Sequence, residues 1–322
     1  MQTQVRSKKF SEFIKKQALL IGLLAIIVFF SLVTDNFFSV SNLMLVLQQA
    51  AVVGIASCAM TFVLIAGNFD LSMGATITLS VLLSIDLHDK LGPLPAVLIA
   101  LAACVLVGMC SGFFVGYLRV HSMVITLGMM SILTGTMLLY TGGGLSWVDN
   151  PSATWFRVFG RDSLFGIPVQ VILLLVFIGI FEFILNKTTF GIKVQAVGGN
   201  ADAVRFSGLN DKQIVLATFI LSGLMSGIAG LVMASRTMQY QTGIAFGYEF
   251  NVLSAVILGG TSLSGGKGSV YGSLLGVLII IALTNGFLMI GLPYYFQWVM
   301  QGLVIVVIVW IDISSRYREG LA

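Results

Sequence analysis

Charge is what this chain has least of. Of its 322 residues only 9% are Asp, Glu, Lys or Arg while 57% are hydrophobic, against roughly 25% charged residues in an ordinary soluble domain. That scarcity excludes a water-soluble fold of this size and places the chain in a bilayer. The alternating segments of about ten residues that a membrane β-barrel needs are also missing, so backbone groups that cannot bond to water in lipid must be satisfied inside helices. Three cysteines, Cys58, Cys104 and Cys110, lie in apolar stretches without metal-ligand spacing; they read as reduced, buried thiols. The two histidines, His88 and His121, stand at segment ends without a partner in sequence, and no nucleophile and base are paired anywhere, so catalysis on a substrate is not expected. The net charge of +4 is scattered near segment ends, which suits orientation in a membrane and excludes nucleic acid as a partner.

What is present is a succession of apolar runs long enough to cross a hydrocarbon core, which takes about 20 residues per helix. Candidate spans fall near 17–34, 43–66, 69–87, 94–118, 121–144, 167–185, 214–236, 247–262, 269–291 and 292–312. The expected fold class is therefore an all-α polytopic membrane protein of about ten transmembrane helices, one transmembrane domain over 1–322. Arg6, Lys8, Lys9, Lys15 and Lys16 precede the first span, which lacks a small-residue cleavage site and reads as a retained helix. Positive charge faces the cytoplasm, so the N-terminus is expected there, and an even span count returns the C-terminus with Arg316 and Arg318 to the same side. The polar break at 186–213, with Lys187, Lys193, Arg205 and Lys212, then falls inside. The break near 145–166 falls outside.

Small residues recur every fourth position at Gly108, Gly112 and Gly116, at Gly223 and Gly227 with Ser222, Ser226 and Gly230, and at Gly272 and Gly276. Such faces let backbones approach closely in lipid; packing within the chain and a homodimer seam are both open. A repeat is visible as well: Val63 to Gly67 followed by Leu71 to Gly74 echoes Val256 to Gly260 followed by Leu263 to Gly266, and internal repeats are common in transporters.

An ionisable group at membrane depth demands a reason, and Asp70 is the clearest case. It sits in Gly67-Asn68-Phe69-Asp70-Leu71-Ser72-Met73-Gly74, a polar interruption of one apolar stretch. It reads either as a helix cap bonding the backbone N–H of Ser72 or Met73, or as part of a transport path along a broken helix. The stretch from Gly259 to Ser269 invites a phosphate-loop reading and fails it, because Thr261 stands where the first glycine belongs and Gly268 where Ser or Thr belongs. A flexible turn is expected there. Gln48, Gln49, Glu249, Asn251, Asn285, Gln297 and Gln301 place hydrogen-bonding groups at depth, suited to hydroxyl-rich solutes or to bonding between helices. Within the inner break, Asn200 to Gly208 reads as a short capped helix: Asn200 as N-cap, Asp202 in the first turn, Gly208 as terminator.

Three stretches, Gly67 to Gly74, Asn186 to Gly208 and Leu258 to Gly268, the last with Gly247-Tyr248-Glu249 upstream, make the chain resemble the permeases of monosaccharide ABC importers of the ribose, arabinose and galactose type. Their order and spacing cover nearly the whole chain. The resemblance implies the ABC importer permease fold in a bacterial inner membrane, a homodimer of permeases, a cytoplasmic ATPase subunit that binds the ATP, no cofactor on this chain, and a periplasmic sugar-binding protein. It implies that the short helix docks in the ATPase, a coupling role for Thr189, Gly191, Gly199, Asn200, Ala203 and Gly208, and that Asn68, Phe69, Asp70 and Ser72 belong to the translocation path. Asn68, and Ile192 where the family often carries a basic residue, depart from its pattern. The Phe69-Asp70 pair looks closest to arabinose-type members and favours a pentose. The alternative is a proton-coupled carrier of a small polar solute with Asp70 as its titrating group.

Overall fold

A computed structural model describes residues 2–293 and, beyond them, 295, 296, 298, 299, 302, 303, 306 and 310; for 2–16 and 18 the backbone alone is described. Twelve α-helices are delimited: α1 (Gln2–Val33), α2 (Val40–Ile65), α3 (Met73–Asp86), α4 (His88–Leu91), α5 (Pro93–Gly116), α6 (Ser122–Thr141), α7 (Val169–Lys187), α8 (Thr189–Gly199), α9 (Ala201–Phe206), α10 (Asp211–Thr237), α11 (Tyr248–Leu258) and α12 (Val270–Met289). Four two-residue strands pair antiparallel, β1 (Ser146–Trp147) with β4 (Gln239–Tyr240), and β2 (Ser163–Leu164) with β3 (Ile167–Pro168). Among the described residues six helices, α2, α5, α6, α7, α10 and α12, are long and apolar enough to cross a membrane, and Leu19–Val33, α3 and α11 form shorter apolar helices. The last expected span, 292–312 with Gln297 and Gln301, lies largely outside the described residues, as do Arg316 and Arg318.

The core is built on α2 and α10, each two-thirds buried over its most apolar stretch. The glycine faces act within the chain. An added Cβ on Gly108 or Gly223 would strike the backbone of the facing helix, at Phe219 O and Cys104 O respectively, so α5 and α10 pack backbone to backbone. Gly276 and Gly272 of α12 meet Ala255 and Gly259 at the foot of α11 in the same way. The thiols of Cys58 and Cys104 are buried as expected, whereas Cys110 is exposed on the outer face of α5. Asn285 is taken up by packing: its amide exchanges two 3.0 Å bonds with Asn42.

The repeat is visible as helix-end geometry. At the end of α2 the N–H of Asn68 bonds Val63 O (3.0 Å) and that of Gly67 bonds Leu64 O (2.8 Å). At the end of α11 Thr261 bonds Val256 O (3.2 Å) and Gly260 bonds Ile257 O (2.9 Å). Gly67 and Gly260 hold φ +78° and +89°, the left-handed turn that closes a Schellman-type cap and that glycine adopts at least cost.

The two ends of the bundle differ. One carries α8 and α9 and is called the loop end below. At the far end the 145–166 segment is tied down by side chains: His88 bonds Thr154 Oγ1 (2.9 Å) and Asp89 (2.6 Å), and Arg161 donates to the carbonyls of Arg236 (3.0 Å) and Thr237 (3.1 Å) at the end of α10. Partial burial works against the charged form of Asp89, yet the backbone N–H of Asp149 (2.9 Å) and His88 hold its carboxyl below the usual carboxylate range.

Two predictions follow from this packing. Gly108→Leu should lower the midpoint of thermal unfolding in detergent by overpacking the α5–α10 seam, on the order of 1–3 kcal/mol, while Gly128→Ala, in helix α6 at a site with open space, should not lower it. Because the Asp89 pKa is depressed on folding, its contribution is present above the unfolded value of about 3.9 and is lost as pH falls through the lower folded value. Limited proteolysis of the 145–166 segment should therefore rise in that acidic window for the wild type, and Asp89→Asn should flatten the dependence.

Candidate translocation and coupling site

Two helices of the core are too short to cross. At about 1.5 Å per residue, the 14 residues of α3 and the 11 of α11 span about 21 and 16 Å, against a hydrocarbon core of about 30 Å. Each is preceded by non-helical chain, 66–72 at depth before α3 and 238–247 leading in from the far end before α11. Contacts along α10 set the level of the first break: Asp70 faces Ser222, the twelfth residue of that helix, and higher up Ser80 Oγ donates to Gly227 O (2.7 Å). Antiparallel pairing of α11 with α12 likewise raises Tyr248 well above the loop end. The N-termini of the two half-helices thus meet in mid-bundle, where an added Cβ on Gly74 would collide with the Glu249 carboxylate and lie 2.9 Å from Ala245 O. Only glycine lets them approach.

Each half-helix carries a buried carboxylate at its positive pole, where the helix dipole and free N–H groups favour negative charge. Asp70 is 3% exposed. Its Oδ1 accepts from the N–H (3.0 Å) and hydroxyl (2.5 Å) of Ser72, and its Oδ2 from the hydroxyl of Ser222. The N-cap of α3 is Ser72 itself, without a side-chain cap bond, so Asp70 caps from two residues upstream and also ties α3 to α10. Glu249, equally buried, has the N–H groups of Gly247 and of its own residue facing its carboxylate. Beside it, between α3, α6 and the 238–247 segment, is a cavity of about 50 Å³ lined in part by Thr78, Tyr240, Thr242 and Glu249. Two of its groups, Tyr240 Oη and Thr242 Oγ1, are buried with no hydrogen-bond partner among the described residues; a hydroxylated molecule or water entering the cavity would satisfy them.

Asn68, Phe69, Asp70 and Ser72 are brought together by the first break. The Phe69 N–H bonds Ser122 Oγ (3.1 Å) at the start of α6, and the Asn68 side chain bonds Ala66 O (3.1 Å). None of the four lines the cavity. Sequence reasoning missed Ser122, Tyr240 and Thr242. The available signal was the polar stretch Gln239, Gln241 and Thr242 before Gly247, too short and too polar to be either a span or its flank.

The second expected group gathers at the loop end. Thr188 rather than Thr189 caps α8, its Oγ1 accepting from Gly191 N (3.3 Å), and Gly191 lies against the carbonyls of Ile184 and Leu185, leaving no space for a side chain. Asn200 caps α9 through Oδ1 and Ala203 N (2.9 Å), and Gly208 ends it at φ +77°. Arg205 joins Asp202 and Asp211 at 2.8 Å each, fastening α9 to the first turn of α10. Gly198 at the end of α8 packs on Ile65 O, which also accepts from Gly266 N (2.8 Å). The 259–269 turn is therefore pinned, not free: Ser262 N bonds Lys267 O (3.0 Å) and Gly265 N bonds Ser262 O (3.1 Å). The backbone at Ile65 to Gly67, Gly198 and Gly199, and Gly265 and Gly266 converges at one point, directly below the broken segment that holds Asp70.

The family described as the branched-chain amino acid transport system / permease component matches residues 42–309. The chain belongs to that family. Among curated relatives, this permease is 38% identical to the probable ABC transporter permease protein YphD of Escherichia coli (strain K12), covering 99% of this chain and 97% of the relative. It is 33% identical to the ribose import permease protein RbsC of Bacillus subtilis (strain 168), over 97% of each. It is 30% identical to the xylose transport system permease protein XylH of Escherichia coli (strain K12), over 92% and 91%. No solved structure matches. The resemblance to permeases of monosaccharide ABC importers is borne out, and the permease is a multi-pass protein of the inner membrane.

Removing the Asp70 carboxylate leaves two buried hydroxyls and a backbone N–H unpaired, each costing about 1–3 kcal/mol. Asp70→Ala is accordingly expected to destabilise the permease in detergent more than Ser222→Ala. The double variant should fall short of the sum by about 0.5–3 kcal/mol; additive midpoints would show that the two side chains do not bond.

Proposed function

We propose that this permease is the membrane subunit of an ATP-driven importer of a monosaccharide, with a pentose favoured, assembled as a homodimer with a cytoplasmic ATPase and served by a periplasmic sugar-binding protein. The sugar reading draws on the ribose and xylose permeases similar to it over nearly their whole length and on the hydroxyl-bearing cavity at the junction. The whole chain serves as one transmembrane domain, with both termini and the 186–213 coupling loop in the cytoplasm. The ATP is bound by the partner, and the permease carries out no chemistry of its own.

The observation that carries the mechanism is the continuity of contact from α9 to the broken helices. The loop end presents Phe206, 93% exposed, with Ile192 and Leu209 also exposed, an apolar face suited to burial against another protein. Force applied to α9 passes through Arg205 and Asp211 into α10, whose Ser222 holds Asp70, and through Gly198 into the end of α2. Closure of the ATPase pair would thereby shift α3 and α11 against each other and exchange outward for inward access. Thr189, Gly191, Gly199, Asn200, Ala203 and Gly208 act in this reading by giving the loop its shape. Asn68, Phe69, Asp70 and Ser72 form the moving break, and the cavity beside Glu249 receives the hydroxyls. Asp70, enclosed by its serine partners and lining no described cavity, is poorly placed as a proton carrier.

Gly208→Arg forces a side chain into left-handed backbone, at about 1–2 kcal/mol, beside the docking face. In the assembled importer it should leave membrane insertion intact and sever ATP hydrolysis from sugar uptake, read as uptake per ATP in proteoliposomes. Coupled transport at the wild-type ratio, or uptake by the permease without any ATPase, would remove the proposal.

A further inference from the structure

A second cavity, of about 260 Å³, lies between α2, α10, α11 and α12, separate from the one beside Glu249. Its walls include Gln49, Arg236, Tyr248, Asn251, Thr284 and Trp298. Arg236 is in the last turn of α10 at the far end and Tyr248 opens α11 in mid-bundle, so the cavity reaches from the far end down to the junction of the half-helices. Its volume is just below the range of about 300–1,000 Å³ typical of small-molecule sites. Polar surface at such depth is expensive unless it serves a bound group. The amide of Gln49, the guanidinium of Arg236 and the hydroxyl of Tyr248 make no hydrogen bond or ion pair among the described residues, and no described carboxylate lines the cavity. The Trp298 ring stands 5.7 Å from that of Phe246, which also lines the cavity.

This composition is specific in chemical terms. A guanidinium offers parallel donors that bridge two adjacent hydroxyls, an amide donates and accepts at one point, and a phenol does the same. An aromatic face covers the C–H face of a sugar ring. We infer that this cavity is a monosaccharide-binding site inside each protomer, in which Arg236 anchors a vicinal diol, Gln49 and Tyr248 bond further hydroxyls, and Trp298 and Phe246 cover the apolar face. The inference rests on the reading of the permease as a sugar carrier and adds to it a site where sugar pauses before the junction, on the permease alone.

The test is equilibrium binding of radiolabelled D-ribose, D-xylose and L-arabinose to the purified full-length permease in nanodiscs, with neither ATPase nor binding protein present and with D-ribonate as an anionic comparator. The same sugars are followed in parallel for ATP-driven uptake by the complete importer. At least one pentose should bind saturably. Arg236→Gln should weaken that binding about tenfold, as expected for losing hydrogen bonds from a charged group, and Gln49→Leu should also weaken it, each variant keeping the wild-type elution and thermal midpoint. Saturable pentose binding that neither variant alters places the site elsewhere and overturns the inference, as does binding of ribonate alone. Uptake of a pentose by the importer without binding to the isolated permease overturns this site and leaves the sugar reading standing. No uptake of any of these sugars by the wild-type importer removes the pentose reading and this inference with it.

Discussion

A backbone that leaves the helix inside a bilayer must find its hydrogen bonds within the protein, and two such departures dictate how the rest of this permease is arranged. The segment 66–72 meets the requirement through the cap at the end of α2, through Ser122 Oγ on the Phe69 N–H and through the Asp70 carboxylate on the Ser72 N–H. The 238–247 segment meets it through pairing with β1 and through the turns that precede α11. Once these segments are fixed, α3 and α11 can only be half-helices. Their N-termini can meet only because position 74 carries no side chain.

The same constraint explains the concentration of small residues in α5, α10 and α12. Apolar side chains gain nothing by leaving lipid for one another, so helices associate through close backbone approach and through hydroxyl bonds such as Ser80 to Gly227 and Ser222 to Asp70. With α5 on one side and α3 on the other, α10 is held along most of its length, and its first turn is the one to which Arg205 attaches α9. An interior that packs without slack transmits displacement rather than absorbing it. The loop end, the Asp70 break and the junction therefore lie on one continuous path of contacts.

The polar groups at depth divide by what they meet. Asn42 and Asn285 satisfy one another, and Asp70 is enclosed by serines; these hold the fold together. Tyr240, Thr242, Gln49 and Arg236 instead face cavities on either side of the segment that leads into α11. The division separates groups that bond within the protein from groups that face a cavity, and no charge or polarity scale applied residue by residue would make it.

Composition and span length by themselves determined that this is a multi-pass helical membrane protein, because so few charges cannot cover a soluble surface. The capped helix after Asn200 was legible for the same local reason: an N-cap and a terminating glycine act within a few residues. The importance of the Asp70 interruption was legible, but its chemistry was open between a cap and a path. Tertiary structure decided the rest. It showed that Asp70 does both a capping and a bridging job through Ser222, 152 positions away, that Gly74 exists for Glu249, and that Asn285 belongs to packing while Gln49 belongs to a cavity. It also turned the expected flexible turn at 259–269 into a pinned one by the bond from Gly266 to Ile65. These are pairings between distant segments, and a sequence that specifies each helix by its own apolar run carries no local mark of which helix will stand beside it.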